Sequence, residues 1–270
     1  MKIVYVLLFA CISCSRSGEN VSDVRPEKME KDSVIVKSHI DTNALTLETR
    51  YLCPEGFERV KVDSLSYGAY LRSLKLKNFS HPVMLWNGNP KPSQWMSCGV
   101  IDQELDPLNL QQCADAVMRF RGEYLFGIGA FDKISFNFVS DNKPHSLTSY
   151  TSERSYVAFR KYMRYVFNGA NTSSLKNQLQ PVQHIREIQP GDVFVQSGNP
   201  YGHAVTVMDV AVNTEGKKYF LLAQSYMPAQ ETHLLINPEY PEFSPWYEAK
   251  DGRIITPEWE FNSTDLRRFK

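Results

Sequence analysis

The sequence predicts an α+β domain, and three observations carry the prediction. Residues 109–126, NLQQCADAVMRFRGEYLF, repeat apolar side chains at three- and four-residue steps, as an amphipathic helix does. The stretch SERSYVAFRKYMRYVFNGANTSSLKNQL does the same with Tyr156, Phe159, Met163 and Val166, and Gly169 is placed to stop that helix. The carboxyl-terminal third instead breaks into short β-rich runs, GDVFVQ, GHAVTVMDV, KYFLLAQSY and THLLI, separated by turn residues as in an antiparallel sheet. Helices come first and the sheet later, which is an α+β order.

The chain opens with MKIVYVLLFACISCS, in which Lys2 precedes an apolar run too short to span a bilayer, the pattern of an export signal. A small residue just before a cysteine resembles a lipoprotein processing site. Ser13 before Cys14 is preferred to Ala10 before Cys11 because it leaves the longer apolar core; an ordinary secretory signal is the plainer alternative. Residues 1–14 are thus expected to be a signal peptide with Cys14 as the lipidation site. The mature protein is expected in the cell envelope, periplasmic or held by a lipid on the outer membrane.

Residues 15–50 are expected to form a flexible tether, since from Ser15 to about Asn43 the chain is rich in Ser, Glu, Lys and Asp and has no aromatic residue. Residues 51–270 are expected to form a single α+β domain, which suits a chain with 42% hydrophobic and 12% aromatic content. Within it YLCPEGFERVKV suggests a strand, SYGAYLRSL a short helix, and HPVMLW a strand running into the turn NGNPKPSQ. Asp106-Pro107 or Asn109 can open the next helix, which would place Cys113 one to two turns inside it with Val117, Phe120 and Tyr124 on the same face. KISFNFV alternates like a half-buried strand, and Pro190-Gly191 suits the centre of a type II turn.

Charge and cysteine count narrow the partners. Thirty basic residues balance thirty acidic ones, so no long-range field points to nucleic acid, and a monomer is expected. After cleavage Cys53, Cys98 and Cys113 remain, an odd number, so either Cys53 pairs with Cys98 or all three stay reduced. Outside the leading segment, where Cys11 and Cys14 form a CxxC, there is no CxxC, HxxxH or HExxH pattern, and neither a metal nor a cofactor is expected.

A nucleophilic cysteine needs a helix amino terminus or a neighbouring imidazole to favour its thiolate. Of the six histidines, His203 stands apart: Gly202-His203 opens a strand, with a small residue where another chain or substrate could come close. His233 only heads a polar segment. Gln224 ends the next strand, and if paired positions sum to an odd number near 429, His203 and Gln224 are diagonal neighbours on one face. Asp209 lies six residues along His203's own strand, roughly 20 Å away at strand rise, too far to orient the ring. For an oxyanion, the Cys113 N–H and the side-chain amide of Gln111 or Gln112 are the candidate donors. Asp115, Arg119 and Glu123, four apart, read as solvated ion-pair partners. The aromatic run NPEYPEFSPWYEAKDG could line a substrate groove. Each residue also has a plainer role: core thiol, edge histidine, strand-end glutamine, solvated helix glutamines.

The order of Cys113 on a helix, then GDVF, GHAV and a strand ending at Gln224, resembles the papain-like cysteine hydrolases, especially NlpC-type cell-wall peptidases. It implies a papain-like arrangement, the cysteine helix packed on the antiparallel sheet, with Cys113 as nucleophile, His203 as base and Gln224 as its orienter. The chain has no Tyr-Asp-Cys-Ser signature, and it spends about ninety residues between Cys113 and His203, more than that compact domain does. LQQCADAVMRFRGEYLF, GDVFVQ, GHAVTVMDVA, LLAQSYMPAQETHLL, NPEYPEFSPWY and TPEWEF further resemble the signature blocks of the domain of unknown function 4846, a family of bacterial envelope proteins, from about Cys53 to Phe269. Gln112, Cys113, Asp115, His203, Gln224 and Tyr226 fall where that pattern puts them. Gly122, inside the helix, departs from it at an expected cost of about 1 kcal/mol.

The expectation is an exported, lipid-anchored cysteine hydrolase acting on an amide or ester, with cell-wall peptide as the substrate class. Its rival is a non-catalytic envelope lipoprotein that binds a glycan, peptide or protein partner.

Overall fold

The computed structural model describes residues 39–198 and 200–270. The signal segment with Cys14, and the tether up to residue 38, lie outside them. The folded body begins earlier than residue 51: Ile40 bridges to Tyr51, and helix α1 (Leu47–Arg50) buries Leu47 and Arg50 completely. Thr46 starts that helix by accepting the Thr49 N–H, so residues 40–50 belong to the domain and not to a spacer.

The centre of the molecule is one antiparallel sheet. It is built from β1 (Glu58–Arg59), β2 (Ser97–Val100), β5 (Gln180–Pro181), β6 (Val193–Gln196), β7 (His203–Val212), β8 (Lys218–Gln224), β9 (His233–Leu235), β10 (Tyr247–Glu248) and β13 (Leu266–Arg268). The main path runs β2-β9-β8-β7-β6-β13-β5, with β1 beside β7 and β10 beside β8. Two short hairpins stand apart, β3 (Ser135–Asn137) with β4 (Pro144–Ser146) and β11 (Arg253–Ile255) with β12 (Glu260–Asn262). The late strands thus supply the sheet's middle, but β1 and β2 come from ahead of the long helices, so the order is not simply helices first. HPVMLW forms no strand; Met84 bridges to Pro90 across the turn and Leu85 to Gln230, isolated contacts only.

Alternation along β7 sorts the core into two layers. Ala204 packs with Val193 and Val195 under α3 (Cys113–Gly127), α5 (Tyr156–Gly169) and α6 (Thr172–Gln178), while α2 (Tyr67–Ser73) and α4 (Leu147–Tyr150) extend the helical cover. Val205, Val207, Phe194 and Leu222 face the other way, against Ile185, Ile188, Ile254 and Phe261. In α3, Val117, Met118 and Phe120 are fully buried, each contributing roughly 1.5–3 kcal/mol. Gly122 has a packing reason: a Cβ there would lie 3.1 Å from Met163 Sδ and 3.3 Å from Phe159, so its absence lets α3 approach α5. Of the expected stripe on α5, Phe159, Met163 and Val166 are buried, but Tyr156 is exposed. After Gly169 a separate helix, α6, restarts behind Asn171, whose side chain accepts the Ser173 and Ser174 N–H groups.

Turn chemistry fixes where β6 begins. Gly191 sits at φ +94°, a conformation only glycine takes readily, and Asp192 is locked behind it by two bonds from Arg268 at 2.6 and 2.8 Å.

Candidate functional site

Helix α3 begins at Cys113 itself, with Gln112 as N-cap, so the thiol is at the first helical position and not one to two turns inside. Asp115 makes the difference: its Oδ2 accepts the Gln112 N–H at 2.9 Å and stops the helix from extending backwards. The upstream cap candidates do other work. Asp106 binds Arg160 and Arg164 at 2.8 and 2.7 Å, and Asn109 accepts the Ala229 N–H at 2.7 Å.

At the other end of the site, β7 and β8 pair Thr206 with Ala223 and Val207 with Leu222, positions that each sum to 429. That register puts Gln224 diagonally beside His203, and the Gln224 Oε1 lies 2.8 Å from His203 Nε2. A bulge between Val207 and Asp209 shifts the register beyond; there Asp209 is buried and bound by Arg59 and Arg72 at 2.7 and 2.6 Å. The His203 ring is walled by Tyr226 at 4.8 Å, Trp259 at 5.4 Å and Phe261 at 5.8 Å between centroids.

Cys113 and His203 line one cleft of about 410 Å³, together with Gln112, Asp115, Tyr226 and Trp259. They reach it from different layers. Helix α3 lies on the Ala204 face of the sheet and His203 projects with Val205 to the other, so the two side chains share the cleft at the end of β7. No hydrogen bond joins thiol to imidazole; the backbone N–H groups of Ala204, Ala114 and Cys113 face the sulfur.

Electrostatics keep both groups neutral. Burial, followed by the charge of Asp115, pushes the Cys113 thiol up to about 11, and those three N–H groups oppose the rise without cancelling it. Burial also drives His203 down to about 4, against the bond from Gln224. Asp115 is pushed up to about 8 by burial, opposed by the Gln112 N–H, and its Oδ1 has no partner among the described residues. At pH 7 the cleft therefore holds a thiol and an imidazole, not an ion pair.

Several expected placements are corrected. Asp115 is not solvated but 6% exposed, and Arg119 is buried, bonded by Gln111 Oε1 at 2.6 Å and paired with Glu123 at 3.3 Å. Gln111 is committed to that arginine, leaving Gln112 as the glutamine at the cleft. The run 237–252 lines no part of this cleft: Trp246 is fully buried and donates to the Leu52 carbonyl, and the aromatic at the site is Trp259. His233 is buried on β9 behind Gln224, with its Nε2 3.5 Å from Gln224 Nε2. Glu258, which accepts from Gln224 Nε2 at 2.5 Å and pairs with Lys91 at 2.6 Å, had no signal in the sequence beyond its place in TPEWEF. Cys53, Cys98 and Cys113 are all free thiols.

Comparison with curated proteins and with solved structures gave no match. A family match covers residues 47–268, from α1 through β13, and by it the chain belongs to the family described as domain of unknown function 4846.

Proposed function

We propose that this protein is a cysteine hydrolase of papain-like layout, related in arrangement to NlpC-type peptidases, that cleaves an amide or ester. Cell-wall peptide is the substrate class, and residues 1–14 export the chain and anchor it in the bacterial envelope by a lipid on Cys14. The single observation that carries the reading is that one cleft is lined both by a thiol at a helix amino terminus and by a histidine whose far nitrogen is held by Gln224.

In the reaction the Cys113 sulfur bonds to the carbonyl carbon as its proton passes to His203 Nδ1. The oxyanion falls to the Cys113 N–H, which has no intrahelical acceptor, and to the Gln112 amide. The leaving amine or alcohol takes the proton from His203. Water then attacks the thioester, giving its proton to the same nitrogen, and the thiol is restored. Because both groups rest neutral, proton transfer accompanies attack instead of preceding it.

The test is alkylation with iodoacetamide across pH together with digestion of purified peptidoglycan. Wild type is expected to label at Cys113 faster than His203→Ala and to release peptides that Cys113→Ser does not. Equal labelling of both proteins and no released peptide would remove the reading.

The neutral, unbonded pair favours a second one, a non-catalytic envelope lipoprotein whose cleft holds a glycan or peptide. It predicts binding of muropeptides that Cys113→Ser leaves intact.

A further inference from the structure

The polar groups behind His203 can be assigned donor by donor. Glu258 is the starting point. Its Oε2 lies 2.6 Å from the Lys91 ammonium and 2.5 Å from Gln224 Nε2, and a carboxylate beside an ammonium offers only lone pairs. The end of Gln224 that meets it must therefore be the amide NH2. His233 gives the same answer separately. Its Nδ1 lies 2.9 Å from the Glu231 carbonyl oxygen, which can only accept, so Nδ1 bears the proton and Nε2 carries the lone pair. That lone pair faces Gln224 Nε2 at 3.5 Å. Two acceptors thus claim the two amide hydrogens.

With its NH2 so committed, Gln224 turns Oε1 to His203 Nε2 at 2.8 Å. An amide oxygen accepts, so in the neutral ring Nε2 holds the proton. Nδ1 is left with its lone pair and makes no hydrogen bond among the described residues, in a residue that lines the cleft. Turning Gln224 over would set its oxygen against a carboxylate and against a second lone pair, and the buried Gln224 and His233 cannot turn to water instead.

We propose that Glu258, held by Lys91 and seconded by His233, is a positioning residue that fixes the Nε2–H tautomer of His203 through Gln224 and so presents the Nδ1 lone pair to the cleft. Use of that lone pair as a base rests on the hydrolase reading; the tautomer lock does not. The four partners come from distant stretches: the NPKP turn, the end of β8, the start of β9 and the TPEWEF segment.

The test is nitrogen NMR of the folded domain with labelled histidine at pH 7, His203 being assigned by the signals lost in His203→Gln. Wild type is expected to show a protonated Nε2 and an unprotonated Nδ1. In Glu258→Gln combined with Lys91→Met no ammonium selects which end of the new amide meets Gln224, so His203 is expected to become a mixture of tautomers, while Glu258→Asp retains the wild-type form. Glu258→Leu combined with Lys91→Met, which removes the carboxylate that claims the Gln224 NH2, provides a second route to the same loss if the amide variant folds poorly. A proton on Nδ1 in wild type, or an unchanged tautomer in both variants, overturns the proposal. Alkylation of Cys113 in the same variants separates the two claims. A tautomer that shifts without slowing alkylation upholds the lock and removes the hydrolase reading, and a roughly tenfold slowing upholds both.

Discussion

Asp115 stands two residues after Cys113 in the first turn of α3, and its carboxylate raises the thiol beside which it is buried. The same side chain caps the helix that presents the thiol. Local folding and nucleophilicity therefore pull in opposite directions at one residue. Asp115→Asn keeps an oxygen for the Gln112 N–H and removes the charge. The Cys113 pKa is expected to fall from about 11 but to stay above an ordinary thiol, because burial is the larger cause. Each unit of that fall multiplies the thiolate by up to about tenfold at about pH 10, where the wild-type Asp115 is fully ionised, and alkylation rates there will report it. Stability carries the matching sign. The folded carboxyl titrates near 8 against an ordinary 3.8, so its contribution is full below about pH 4 and lost as pH rises through 8. The variant should gain on wild type between pH 5 and pH 9 in urea midpoints. A constant difference would show that the charge is not the cause.

Gly202 makes a second case. The sequence suggests that its smallness lets another chain or a substrate come close beside His203, and the space is taken by the backbone of this chain. A Cβ there would meet the Gln196 carbonyl at 2.1 Å and Thr172 Oγ1 at 2.6 Å. Backbone cannot yield as a side-chain tip does. Gly202→Ala is expected to destabilise by about 1–3 kcal/mol and to disturb the start of β7. Unchanged denaturant midpoints would contradict this.

What the sequence revealed of the site follows from physics that acts over short range. The 429 register was legible because a hairpin's pairing is set by its turn and its alternation, so His203 and Gln224 could be placed together from 203–226 alone. The start of α3 was misplaced because several residues upstream are capable caps, and only the tertiary engagement of Asp106 and Asn109 removes them from competition. Asp115 looked solvated because four-residue charge spacing describes a helix face, not what covers it. Lys91, His233 and Glu258 were illegible as a unit because no local pattern links a turn, a strand start and a late loop that meet only in the folded core.

Asp106 links the segment ahead of α3 to α5. It accepts from Arg160, which is buried, and from Arg164, which is largely exposed. Asp106→Ala strands the Arg160 charge, at a cost of about 3 kcal/mol, while Arg164 can return to water. Burial raises this carboxyl, but the Arg164 bond and both guanidinium charges outweigh it and hold it below the ordinary 3.8. Its contribution is therefore present above about pH 4 and lost as pH falls through the lower value. The gap between wild type and Asp106→Ala should narrow steadily as pH falls below about 4. A gap that stays constant as the acid limb is descended would mean that packing, not charge, is what the alanine removes.

The buried histidines set a different window. Burial holds His203 down to about 4 and, with Lys91 and His203 adding to it, His233 down to about 3, whereas both titrate near 6.5 once unfolded. Each depressed group contributes stability that is whole above about pH 6.5 and is lost as pH falls towards its folded value, because the unfolded chain binds a proton that the fold refuses. One such proton is worth about 1.4 kcal/mol per pH unit. Asp115, titrating near 8, acts in the opposite sense over the same range, so the wild-type slope alone mixes the terms. Differences do not. His203→Gln and His233→Gln should each flatten the fall of unfolding free energy between about pH 6 and pH 4 by roughly one proton, measured by urea titrations at each pH. Slopes that match wild type would place both rings within reach of water and would undo the tautomer assignment along with the pH dependence, since a hydrated imidazole has no need of Gln224.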